Sequence, residues 1–159
     1  MLSQFANTVL RADVYQQLLS RIARVQENSP RQWGRMSPSQ MLCHCADQIR
    51  LALGQKPATE TASWFNRTIA IRVALALPRI PMRNLATPLD MQQGEAGRGT
   101  KPTTLAHDKQ LLVQALADFV QHPTDLPLSP HPGYGPLSRA QYGRFIYLHL
   151  DHHLRQFGL

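Results

Sequence analysis

Two short segments of this chain are written as helix starts: Ser37-Pro38-Ser39-Gln40 and Ser138-Arg139-Ala140-Gln141. In each, the serine hydroxyl can accept the N3 backbone N–H while the glutamine side chain returns to the serine N–H. Pro38 adds a second signal, since proline loses nothing at the first helical position, where its missing N–H would be unpaired anyway. Both starts are followed by apolar residues at helical spacing. A chain with such starts must bury helical faces against one another, and that points to a helix bundle.

The remaining elements follow from periodicity and from the residues that interrupt it. A first helix is expected over residues 13–26, where Val14, Leu18, Ile22 and Val25 form one stripe and Asn28-Ser29-Pro30 ends it. The second runs from Ser37 to about Leu53, with Gly54 as the stop. Its residues Met41, His44, Gln48 and Leu51 share a face. Residues 61–77 carry two conflicting signals. Ile69, Ile71, Val73, Leu75 and Leu77 alternate with alanines and Arg72 as a strand would, yet the alanine content and length favour a helix, which we expect here. Residues 79–102, with Pro81, Pro88, Gly94, Gly97 and Gly99, read as a long loop. Another helix follows over 105–121, faced by Leu105, Leu112, Leu116, Phe119 and Val120 and stopped by His122-Pro123. Five prolines and two glycines make 123–137 a loop before the last helix opens at Ser138. The expectation is an all-α fold, a four-helix bundle with an additional helix and long loops, forming one domain over 1–159.

Charge narrows the function classes. Lys and Arg outnumber Asp and Glu by 17 to 10, giving a net charge of +7. No acid occurs in residues 61–89, where Arg67, Arg72, Arg79 and Arg83 fall. A basic balance alone does not make a nucleic-acid protein, and no recognition motif accompanies it, so nucleic acid is not an expected partner. No stretch is apolar for long enough to cross a membrane, and the N-terminal residues do not resemble a secretory leader. Cys43 and Cys45, two apart on a helix, point to nearly opposite sides and are not expected to bond to each other. A reduced, cytoplasmic protein fits this usage. The segment 61–77, with Trp64, Phe65 and a string of aliphatics, is expected first to pack within the chain. A homodimer contact is the second expectation, and a membrane surface the third.

The chemistry concentrates in the last helix. His149 and His153 are four apart, so they share a face and can both reach one metal ion. His44 lies in an inward-leaning stripe of the second helix, and bundles build sites from side chains on facing helices. One histidine from the second helix and two from the last make a set with open coordination positions, as in reactive rather than structural sites. His152 is the competing partner for His149, or else faces solvent or the rim. Cys43 and Cys45 flank His44, but three consecutive helical residues cannot converge on one ion, so they are read as small packing residues. Asp47 and Asp151 are the nearby carboxylates. Asp151 should point away from the pair, Asp47 could orient His44, and the plainer reading of both is a solvated helix acid. Tyr142 and Tyr147 are candidate proton donors, and Arg50, Arg67 and Arg72 candidate attractors of an anionic substrate.

Three segments together resemble a known family. They are Trp33-Gly-Arg-Met36-Ser37-Pro-Ser-Gln40-Met41-Leu-Cys-His44, His131-Pro132-Gly-Tyr-Gly135-Pro-Leu137-Ser138 and His149-Leu-Asp-His-His153-Leu-Arg-Gln156-Phe157-Gly158. The chain resembles the DinB/YfiT-like metalloenzymes, four-helix bundles, and within them a branch of uncharacterised bacterial proteins. The middle, about 55–125, matches only in general character. The resemblance implies a divalent metal, zinc or nickel first and iron or manganese after them, held by His44, His149 and His153. It implies a small-molecule substrate, a thiol in some members, and hence a metal-dependent transferase of low-molecular-weight thiols or a related hydrolase. The alternatives are a non-catalytic metal- or ligand-binding protein of the same fold and a basic interaction module whose histidines are structural.

Overall fold

A computed structural model describes residues 7–80 and 87–159. Five α-helices and no strands occur among them, so the fold is all-α. The helices are α1 (Ala12–Ala23), α2 (Pro38–Ala52), α3 (Ile71–Ala76), α4 (Leu105–Gln121) and α5 (Arg139–Arg155). The four long ones pack together, α2 most extensively on α4, with α5 on α2 and α1 against α4 and α5. Leu18, Ile22, Leu42, Ile49, Leu112, Leu116, Phe119 and Ile146 are fully buried between them. These are the apolar positions at helical spacing, and their removal from water is the main term holding the elements together.

Both capping boxes form. Ser37 Oγ accepts from the Gln40 N–H at 3.2 Å while the Ser37 N–H donates to Gln40 Oε1 at 2.9 Å. Ser138 and Gln141 repeat the arrangement at the same two distances. The stop expected at Gly54 is met in the left-handed region, φ +70°, which glycine alone adopts without strain. α1 ends at Ala23, earlier than the expected 26, and Val25 is buried beyond the helix end.

The ambiguous segment is helical, as expected, but irregular: a π turn over Asn66–Ala70 runs directly into α3. Ile71 and Leu75 are buried beneath it. On the other side Trp64 (73% exposed), Phe65, Ile69 and Val73 face solvent. The expectation that this segment packs within the chain therefore holds for one face only. The alternating pattern supplies apolar residues all round a helix, and the bundle covers only one side of it.

The long loop expected before α4 has some structure of its own. It contains a 3-10 turn over Leu89–Met91, and residues 91–100 fold onto α2. The part of it at 81–86, with Pro81 and Arg83, lies outside the described residues. No described helix is long and apolar enough to cross a membrane.

Candidate metal centre

α2 presents His44 from its middle, and α5 presents His149 and His153 one turn apart, so two facing helices bring the three imidazoles together. One ring nitrogen from each lies within 4.8 Å of the others, and all three residues are buried. His44 Nε2 and His149 Nε2 are 3.1 Å apart. Two nitrogens bound to one tetrahedral zinc at about 2.0–2.1 Å each would sit roughly 3.3 Å apart. The observed spacing is close to that.

The outer nitrogens settle which atoms face inward. His44 Nδ1 donates to the Met91 carbonyl oxygen at 3.0 Å, and His153 Nδ1 donates to Gln156 Oε1 at 2.6 Å. Each contact places the proton on Nδ1 and leaves Nε2 unprotonated, as a metal ligand requires. His149 Nδ1 is buried with no partner among the described residues. Desolvation lowers the pKa of all three, and for His149 and His153 the neighbouring imidazoles add to it. The rings are therefore neutral at physiological pH, the form that binds metal. The donor set and its outer hydrogen bonds fit a divalent ion.

Local backbone supports these contacts. Gly34 has φ +83°, and a Cβ placed there would lie 2.6 Å from Gln156 Nε2. Only glycine lets the 33–34 turn approach the side chain that orients His153. The Gln32 N–H also donates to the Gln156 carbonyl at 2.6 Å. On the other side, Asp47 anchors the segment that delivers Met91. Asp47 accepts from the Thr100 N–H at 2.7 Å, Thr100 Oγ1 at 2.6 Å and Gln93 Nε2 at 3.2 Å. Arg50 and Lys56 stand 3.6 Å from it.

The three histidines line a cleft of about 1090 Å³. One wall is aromatic: Phe145 stacks on His149 at 6.1 Å, and His131 and Tyr134 pack against Phe145 at 4.8 and 5.7 Å. His131 is held by the Gly133 N–H, which donates to its Nδ1 at 3.1 Å. Burial lowers its pKa to about 4. Spacing and periodicity gave no hint of His131 or Tyr134, because both lie in a proline-rich loop. Their only signal was the 131–138 motif.

Several expected roles are corrected by position. Asp47 is fully buried rather than solvated, and it braces the 91–100 segment rather than touching His44. Asp151 points away from the histidines, as expected, but is also buried, in ion pairs with Arg21 and Arg155 at 2.9 Å. His152 does not face solvent. It is buried edge-on against Trp33 at 5.9 Å, and it stands outside the group of three. Tyr142 is not available as a proton donor at the histidines, since its hydroxyl donates to the Ser129 carbonyl at 2.7 Å. The Tyr147 hydroxyl accepts from Asn7 Nδ2 at 3.1 Å, and neither tyrosine lines the cleft. Arg67 pairs with Glu60, Arg50 stands beside Asp47, and Arg72 is exposed on α3. None of these arginines lines the cleft. Cys43 and Cys45 are free and buried, as packing residues should be, and burial raises the Cys43 thiol to about 12.

Residues 6–158 match the family described as protein of unknown function DUF1569, and the chain belongs to that family. No curated protein matches it. No solved structure matches it either.

Proposed function

We propose that this protein binds one divalent metal ion through Nε2 of His44, His149 and His153 and acts on small molecules in the cleft beside it. The reading is a metal-dependent transferase of low-molecular-weight thiols, or a related hydrolase. One observation carries it: three buried neutral imidazoles from two facing helices, two of them with the outer nitrogen fixed as a donor. The long helices and this histidine arrangement also support placing the family among the DinB-like bundle metalloenzymes. Zinc or nickel suits an imidazole set, with iron or manganese as the alternatives.

When bound in such a site, a divalent ion supplies electrophilic activation of a thiol or water at neutral pH. The chain's own residues do the rest. Met91 and Gln156 hold His44 and His153 in the ligating tautomer. His131, Tyr134 and Phe145 give an apolar wall that keeps water from one side of the cleft. Asp47 accepts from Thr100 and Gln93 and does not line the cleft, so its role is to brace the 91–100 segment.

The test is turnover by the zinc- and nickel-reconstituted protein with a panel of small thiols and an aromatic halide electrophile, and with small esters for hydrolysis. The expected result is a rate above buffer that His153→Ala abolishes while its far-ultraviolet circular dichroism is unchanged. A metal-loaded protein that turns over none of these substrates would leave the scaffold as a binding protein.

A further inference from the structure

We infer that Gln48, with Gln93, forms a recognition site for a neutral amide group on the cleft side of α2, next to His44. Gln48 lies one turn after His44, so the two share a helix face. Its side chain lines the same cleft and the residue is 4% exposed. Yet neither Oε1 nor Nε2 of Gln48 has a hydrogen-bond partner among the described residues. Gln93, also buried and lining the cleft, spends its Nε2 on Asp47, and its Oε1 is likewise without a partner. Buried polar side-chain atoms are almost always paired, and an unpaired amide destabilises the fold. Such groups persist where a ligand supplies the missing bonds, and there they give sharp selectivity.

The vacant atoms define the ligand. Gln48 offers one NH₂ and one carbonyl oxygen, and Gln93 offers a second carbonyl oxygen. Two acceptors repel a carboxylate or phosphate. The nearby cations do not offset this: Arg50 and Lys56 lie beside the Asp47 carboxylate, and Arg35, which also lines the cleft, is exposed to solvent. A ligand amide matches instead, with its carbonyl accepting from Gln48 Nε2 and its N–H donating to a glutamine oxygen. This inference gives the substrate of the proposed reaction a neutral amide close to its reacting group, and it rests on that reading only for the neighbouring metal.

The test has one arm that needs no metal. Metal-free ¹⁵N-labelled protein is titrated with N-acetylalaninamide, and separately with methyl acetate, which lacks the N–H. The Gln48 side-chain NH₂ resonances should shift and saturate with the amide, and respond at least tenfold more weakly to the ester, whose carbonyl can still accept but which has no N–H to give. The second arm is calorimetry of zinc-loaded wild type and Gln48→Leu with N-acetylcysteinamide and with propanethiol. The variant should bind the amide thiol at least tenfold more weakly and propanethiol within twofold of wild type. It should also melt no lower, since leucine removes two unpaired buried atoms at similar volume. Unmoved NH₂ resonances overturn the inference, as does equal affinity of wild type and variant for the amide thiol, or a lower melting temperature in Gln48→Leu. Failure of the metal reading looks different: neither protein then retains zinc, and the first arm alone decides.

Discussion

At the scale of the residue, the candidate centre depends on the groups behind its ligands. The Gln156 amide fixes the His153 ring at 2.6 Å, and Gly34 makes room for that amide. Removing such an outer hydrogen bond commonly weakens metal affinity by about 10–100-fold. Gln156→Leu should therefore lower zinc affinity within that range, measured by competition with a chromophoric chelator, while the helical signal is kept. An unchanged affinity would mean that His153 needs no orienting partner. His131 makes a separate prediction. Its pKa is about 4 in the folded chain against an ordinary 6.5, so the unfolded chain binds more protons between those values. The stability that comes from its neutral burial is fully present above pH 6.5 and is lost as the pH falls from there towards 4. In metal-stripped protein, urea midpoints should drop less steeply over that range for His131→Phe than for wild type. Parallel pH profiles would show that the folded ring takes up its proton as easily as a free one. The histidine pair at 149 and 153 was legible because helical spacing exposes it. The outer partner Met91 was not, because a backbone carbonyl has no signature in the sequence.

At the scale of the element, the helices with strong local signals were readable and the others were not. Both S-x-x-Q starts lie at the N-termini of α2 and α5, the two helices that carry the histidines. The cap at Gly54 is equally local. The 61–77 segment has no S-x-x-Q box, only the single bond from the Asn66 N–H to Ser63 Oγ at 3.2 Å, and its two periodicities conflict. Tertiary contact decided its form, with Ile71 and Leu75 inward and a π turn before them. Residues 79–102 read only as a long loop, because nothing local indicates that Thr100 and Gln93 close on Asp47, about fifty positions away. That closure carries a prediction. Asp47→Ala removes the acceptor of three hydrogen bonds on a buried carboxylate, and a bond to a charged group is worth about 1.5–3 kcal/mol. We expect a loss of about 2–3 kcal/mol in chemical denaturation, together with faster amide exchange at residues 91–100. Exchange unchanged there would mean that Asp47 does not brace the segment.

At the scale of the whole molecule, an all-α architecture was legible because four amphipathic stretches with polar, proline-rich connections leave few other ways to bury apolar surface. The net charge of +7 did not translate into a basic site. Its arginines are spread over ion pairs and helix surfaces rather than gathered at the cleft. What the chain assembles around the cleft is a partly aromatic, amide-rich lining with one arginine, Arg35, one carboxylate, Asp90, and five imidazoles, among them the three of His44, His149 and His153. The central claim is that these three imidazoles hold a metal. It is tested most directly by metal content per chain, measured by mass spectrometry on untagged protein purified without added metal, beside a His44→Ala/His153→Ala variant. The account predicts close to one equivalent of a divalent transition metal in the wild type and none in the variant. Little metal in the wild type even after reconstitution and dialysis, or equal metal in both proteins, would contradict it.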